Sequence, residues 1–568
     1  MASALGSRHP NGGPAVLNRI LAVSAALLSL ALAAPAARAS DAGFLLLGGP
    51  IHIDAGGAPV QALVVRDGKV AFAGSLANAR LRAQGLPELD LKGAAAFPGF
   101  MDSHVHLTGV GLREMTLNLD QVKSVTELVS VVKAWEAAHP GAEPLVGRGW
   151  IETHWPEKRF PGRADLDAVS ATRPIVLERA DGHAMVLNGA ALRLAGIDRT
   201  TRDPAGGRIE RDASGEATGM LIDGAMGLIE PKLPPLSYAR RKEALARGTA
   251  LYAARGWTAG ANMSTSAEDV KALFELAAAG RLPIRVDAFM TPEDSAEVLK
   301  RGPYADPTGL VRVRGVKLYM DGALGSRGAA LKAPYADRPD SSGLTIAEHD
   351  PTEAILKQAL ETHCQIAFHA IGDRGNRMVL DWMIEAFKTN GPGAAQTVWR
   401  IEHAQIVDPA DIALFAKSGV VASMQPSHAI GDLYFAPARL GEARLKGAYA
   451  WKSLHNAGVI VAGGTDAPVE VGDPRIEYYA AVARKDLQGK AGADWHPEEA
   501  LARDEALGLF TAAGAYAVQD KGRGSLKPGA AADITVFSSD VTTVPEAEIL
   551  KVRPLLTLVG GKIVHDGR

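Results

Sequence analysis

Eight short apolar runs recur between residues 95 and 462, and amphipathic helical stretches lie between them. They are Ala95–Phe100, Trp257–Ala261, Ile284–Phe289, Gly315–Tyr319, Gln365–Phe368, Trp399–Ile401, Val420–Met424 and Val459–Ala462. Strands that alternate with helices in this way build a parallel α/β fold. Eight of them point to a (β/α)₈ TIM-like barrel. An open doubly wound sheet is the alternative, but no G-x-G-x-x-G turn follows the first run. Helix signals support the alternation: Ser124-Val-Thr-Glu127 is a capping box, with Val125, Leu128, Val132 and Trp135 on one face.

The ends of the chain read differently. Ala62–Gly74 is a hairpin turning at Asp67-Gly68, Ala532–Phe537 is a strand, and Leu558–His565 is a second hairpin. Neither end has enough strands to bury a face alone. Residues 40–95 and 515–568 are therefore expected to pair as a small β-sandwich domain, with the barrel over 96–514. Residues from about 141 to about 235 break the rhythm and carry Trp150 and Trp155. They read as an insertion over the barrel mouth, where loops after strands carry function.

Residues 1–39 have the order of a secretory leader: Arg8 and Arg19, an apolar run Ile20–Ala34, then Ala37-Arg38-Ala39. The run is short for a membrane span, which leaves a periplasmic or secreted protein with no stable span after cleavage. The formal net charge of -3 gives no footprint for nucleic acid. The expected partner is a small-molecule substrate, with a homodimer left open. The single cysteine, Cys364, reads as a small buried residue in an apolar strand.

Chemistry concentrates at strand ends. His104 and His106 close the segment Pro98-Gly-Phe-Met-Asp-Ser-His-Val-His. Residues two apart on a strand face one side, so both imidazoles can reach one ion. His369 ends Gln365-Ile-Ala-Phe, His403 ends Trp399-Arg-Ile-Glu, Asp466 follows Val459–Thr465, and Lys317 lies in Val313–Tyr319. In a barrel these ends form one ring, where catalysis is placed. Imidazoles and a carboxylate suit Zn²⁺ and similar divalent ions, one or two in number. An ammonium repels cations, so Lys317 is either carbamylated by CO₂ (N6-carboxylysine) or pairs with substrate or Asp321. Asp466 is read as the catalytic proton carrier, with a purely metal-ligating carboxylate as the alternative. His183, Asp321, Arg327, Gln425 and His428 are further substrate-binding candidates, and Glu402, Asp373 and Asp102 are candidates for orienting the ligating histidines.

These motifs resemble the amidohydrolase superfamily, and within it the YtcJ-like branch that includes N-substituted formamide deformylase and exoenzyme regulators. The carrying segments are Pro98–Leu107, Val316–Gly328, Phe368–Asn376, Arg400–Gln405 and Gly464–Pro468, with Gly147–Trp150, Asp181-Gly-His183, Asn188 and Gly524–Asp533. The resemblance implies His104, His106 and Asp466 on a first ion, His369 and His403 on a second, and Lys317 bridging as a carbamate. It implies hydrolysis of a carbon–nitrogen bond other than a peptide bond (EC 3.5 class), such as an N-substituted formamide, by metal-activated water. The alternatives are another acyl bond (ester, lactam or dipeptide) and a non-catalytic exported binding or regulatory protein on the same scaffold.

Overall fold

The computed structural model describes residues 43–120, 122–390, 397–492 and 495–568. The leader read at 1–39 lies outside the described residues. Eight strands run in parallel: β1 Phe100–Val105, β2 Trp257–Thr265, β3 Arg285–Met290, β4 Val311–Tyr319, β5 Gln365–Ala370, β6 Arg400–His403, β7 Val421–Met424 and β8 Val461–Gly463. Each is hydrogen-bonded to the next. The last seam closes just beyond β8. There Val105 bridges Ala467, and the Asp466 N–H donates to the His104 carbonyl at 2.7 Å. The result is a nearly closed barrel whose closure runs through two residues of the chemical ring. Gly464 stands in that seam. A Cβ at Gly464 would lie 2.5 Å from the His104 nitrogen, so a side chain there would force the strands apart.

The run expected as one strand at Ala95–Phe100 divides in two. Ala95–Pro98 pairs antiparallel with Ile534–Phe537, and the barrel strand begins only at Phe100. Pro98-Gly99 is the break, and the Gly99 N–H donates to Asp533 at 2.8 Å. Apolar residues on both sides of it hide the junction in the sequence. The two chain ends meet as one eight-stranded sheet. Its strands alternate, with Leu46, Leu63 and Leu558 in one core and Leu45, Leu47 and Val64 under the helix Leu76–Arg82 in another.

The insertion is a six-stranded sheet with its own apolar cores. It starts earlier than the turn-rich stretch suggests, because Leu117–Asn118 already pairs with Leu145–Trp150. The helix Val125–Ala138, capped by Ser124 Oγ accepting from the Glu127 N–H at 3.0 Å, packs in that core. No described helix is long and apolar enough to cross a membrane. Cys364 is buried, and its thiol faces the Val298 carbonyl.

At the N-terminal end of the strands, Asp287 accepts from Arg312 Nε at 2.6 Å and from Arg523 Nη2 at 2.7 Å, with only 1% of its surface exposed. Burial disfavours its charge, but the Arg523 and Arg312 guanidiniums outweigh burial and hold its carboxyl at about 2. Asp287→Asn is expected to destabilise the fold by about 3–5 kcal/mol at neutral pH, because it strands buried guanidinium charge. The depressed carboxyl adds stability above the ordinary carboxylate range and loses it as pH falls toward the folded value. Urea unfolding of wild type and variant should therefore show the gap narrowing between about pH 5 and about pH 2. A pH-independent gap would contradict the assignment.

Candidate metal centre

The barrel brings all six ring residues together. His104 is the penultimate residue of β1, and His106 follows the strand. The Leu107 N–H after it donates to Asn262 Oδ1 of β2 at 2.7 Å, which fixes the exit from the strand. His104 Nε2 and His106 Nε2 lie 3.4 and 3.3 Å from the same Asp466 Oδ1. Lys317 Nζ is 3.4 Å from His104 Nε2. The His403 ring sits 4.8 Å from that of His104 and 4.5 Å from that of His369. Two ring residues adopt left-handed backbone, His403 at φ 72° and Asp466 at φ 55°. Such residues cost about 1–3 kcal/mol each and persist where the surroundings over-determine them, typically at functional sites.

The electrostatics favour metal ligands. Burial, then the nearby Lys317, pushes His104 down to about 4. Burial and neighbouring cationic groups likewise hold His369 and His403 well below the ordinary imidazole value. Those three imidazoles therefore favour the neutral form, the one that ligates metal. Asp466 is opposed by burial, yet His104, His106 and His403 hold its carboxyl well below the carboxylate range. His369 Nε2 is buried with no hydrogen-bond partner. An orphaned imidazole nitrogen among neutral histidines and one carboxylate fits a divalent ion.

Supporting residues set the tautomers. Glu402 accepts from His104 Nδ1 at 2.6 Å and is gripped by Arg400, with both acid and guanidinium fully buried. Despite burial, Arg400 and His104 hold Glu402 at about 2, so it stays a carboxylate that turns His104 Nε2 inward. Gln425, expected at substrate, instead accepts from His403 Nδ1 at 2.8 Å. Asp102 ties the backbone N–H groups of His104 and Thr465 at 3.0 and 2.9 Å, which locks the β1–β8 seam rather than a ring.

Two expected substrate contacts are directed elsewhere. Asp321 accepts the N–H groups of Ala330, Ile371 and Gly372 at 2.8–2.9 Å, so its carboxylate holds the loop after His369. It makes no pair with Lys317. Arg327 points away into an ion pair with Asp337 at 2.8 Å. Asp373 accepts from the Lys332 N–H and touches no ring histidine. His183 and His428 do line the cavity over the centre, a space of about 210 Å³. His183, carried by the insertion, donates from Nδ1 to Asp223 at 2.7 Å. Sequence reasoning missed Tyr319, Asp223, Asp432 and Glu470. Tyr319 was findable, being two residues past Lys317 on one strand; its ring lies 4.6 Å under Lys317 Nζ.

Eight parallel strands with this histidine–aspartate–lysine ring at their C-terminal ends define a metal-dependent hydrolase barrel. The chain belongs to the amidohydrolase family, whose model matches residues 88–565. It is 34% identical over 519 residues to YtcJ of Bacillus subtilis, covering 89% of this chain and 96% of that protein. It is 27% identical over 533 residues to N-substituted formamide deformylase of Arthrobacter pascens, covering 90% and 96%. The solved structure of a metal-dependent hydrolase from Pyrococcus horikoshii superposes with a TM-score of 0.73 at 28% identity, over 89% of this chain and 99% of that one.

Proposed function

We propose that the chain hydrolyses an amide-type carbon–nitrogen bond, with N-substituted formamides as the leading substrate class, using one or two divalent ions, zinc foremost. The convergence of His104, His106, Lys317, His369, His403 and Asp466 on one point carries this reading. The likeness to N-substituted formamide deformylase supports the bond class. His104, His106 and Asp466 are assigned to one ion, His369 and His403 to a second, with Lys317 as a carbamate between them. When bound, such an ion polarises the scissile carbonyl and brings the pKa of water to roughly 7.

The chain's own groups handle the protons. Asp466, ionised and on the cavity wall, takes a proton from the attacking water and delivers it to the leaving nitrogen. His183 faces the same space. Burial lowers it, but the Asp223 partner outweighs burial and lifts it to about 9, so it stands as a proton donor toward bound substrate. The leader signature at 1–39 supports action in the periplasm or outside the cell.

The test is turnover by metal-analysed protein on N-formyl amines, longer N-acyl amines and matched esters. Hydrolysis of the amides in proportion to metal content is expected. Metal-replete protein that cleaves none of the amides would overturn the reading.

A further inference from the structure

The cavity over the centre is not electrically neutral. Beyond Asp466 its wall carries Asp120, Asp432 and Glu470. Among the described residues one guanidinium lines it, Arg179, and it is already engaged, while Arg113 Nε lies 3.9 Å from Asp120 Oδ2. Arg179 donates from Nε to Glu152 at 2.8 Å and from Nη1 to Asp181, and is 1% exposed. That triad sums to a negative charge, so the cavity offers no uncompensated guanidinium or ammonium to an anionic substrate. Among the described residues Glu470 has no hydrogen-bond partner for its carboxylate; the His428 Nε2 atom stands 3.9 Å away. Asp432 accepts from Gln405 Nε2 at 2.8 Å and from the Tyr449 hydroxyl, both through one oxygen, Oδ2.

A second observation points to a ligand. His428 is 9% exposed, and its Nε2 is buried without a hydrogen-bond partner. It lines the cavity between Asp466 and Glu470, 3.7 Å from the first. Burial, with Asp432, Asp466 and Asp120 around it, pushes Glu470 up to about 7 against His428. A carboxylate without a hydrogen-bond partner beside other acidic groups, as Glu470 is, is stabilised by a guest cation. Leu324 and Phe435 line the same space and suit a hydrocarbon stem.

We propose that the substrate of this site carries a positive charge at neutral pH, an ammonium or amidinium, a few methylenes from the scissile amide, and that Glu470, Asp432 and Asp120 receive it. This deepens the amide-hydrolase reading and rests on it for the position of the scissile bond.

The probe pair is N-formylcadaverine, protonated at its free amine, against N-hexylformamide, its near-isosteric neutral counterpart. Titration calorimetry on metal-loaded protein reads hydrolysis heat, or binding heat if the pair is not turned over. N-formylcadaverine is expected to be favoured about ten-fold or more, in kcat/KM or in Kd. Glu470→Gln should remove most of that preference, read as the ratio between the two compounds, and Asp120→Asn should act in the same direction. Glu470→Gln breaks no hydrogen bond, so its folding is not at issue. Equal use of the two compounds, binding of neither, a preference untouched by both variants, or displacement of the cation by surplus zinc bound at the wall would each overturn the proposal. Preferred binding of N-formylcadaverine without hydrolysis would sink the amide-hydrolase reading instead, and leave the cation site standing.

Discussion

Asp466→Asn is expected to lower kcat by about 10³-fold or more, the scale of losing a positioned general acid–base group together with part of an ion's ligand field. The substitution keeps the shape of the side chain and its place in the seam, where the Asp466 N–H still reaches the His104 carbonyl. It removes the charge that His104 and His106 face at 3.4 and 3.3 Å. Asn cannot accept a proton from water at neutral pH, so no group on the cavity wall replaces it at that position. Metal content measured beside activity separates the two roles. An Asn variant that keeps its metal and loses its rate identifies the proton carrier; one that loses both shows the ligand role dominating. A variant with full metal and wild-type rate would remove Asp466 from the chemistry.

The barrel and the ring were legible in the sequence because both rest on local patterns. Runs of apolar residues mark buried parallel strands, and a polar ligand at the end of each run is conspicuous against them. What stayed hidden depends on pairing between distant segments. The split at Pro98-Gly99 shows only when Ile534–Phe537 arrives beside Ala95–Pro98. Asp321 sits in a Gly-rich loop that looks fit to approach a ligand, yet its carboxylate is taken by N–H groups from Ala330 of its own loop and from Ile371 and Gly372 after β5. Gln425 reads as a cavity residue until β6 and β7 bring it to His403. The acidic wall was invisible for the same reason: Asp120 belongs to the start of the insertion, Asp432 to the helix after β7 and Glu470 to the loop after β8.

Lys317→Met should cost about three orders of magnitude in rate, several kcal/mol, and take with it the metal assigned to His369 and His403. Lys317 is 1% exposed, and among the described residues no carboxylate lies within ion-pair distance of its Nζ. Burial lowers it to about 8, against Glu402 and Asp466 and with help from Arg400. Near neutral pH a fraction of the amine is therefore unprotonated and nucleophilic. That amine can attack CO₂: an N–C bond forms, one C=O bond opens to an oxyanion, and the nitrogen releases a proton to water. The product exchanges a cation that repels divalent ions for an anion with two acceptor oxygens beside His104 and Tyr319. Met fills the volume without a nitrogen, so a loss cannot be ascribed to a cavity. Intact-protein mass spectrometry of the wild type should show the added mass of one CO₂, lost on acidification, and absent from the variant. A variant that binds two ions and turns over at the native rate would show instead that the centre needs no bridge from β4.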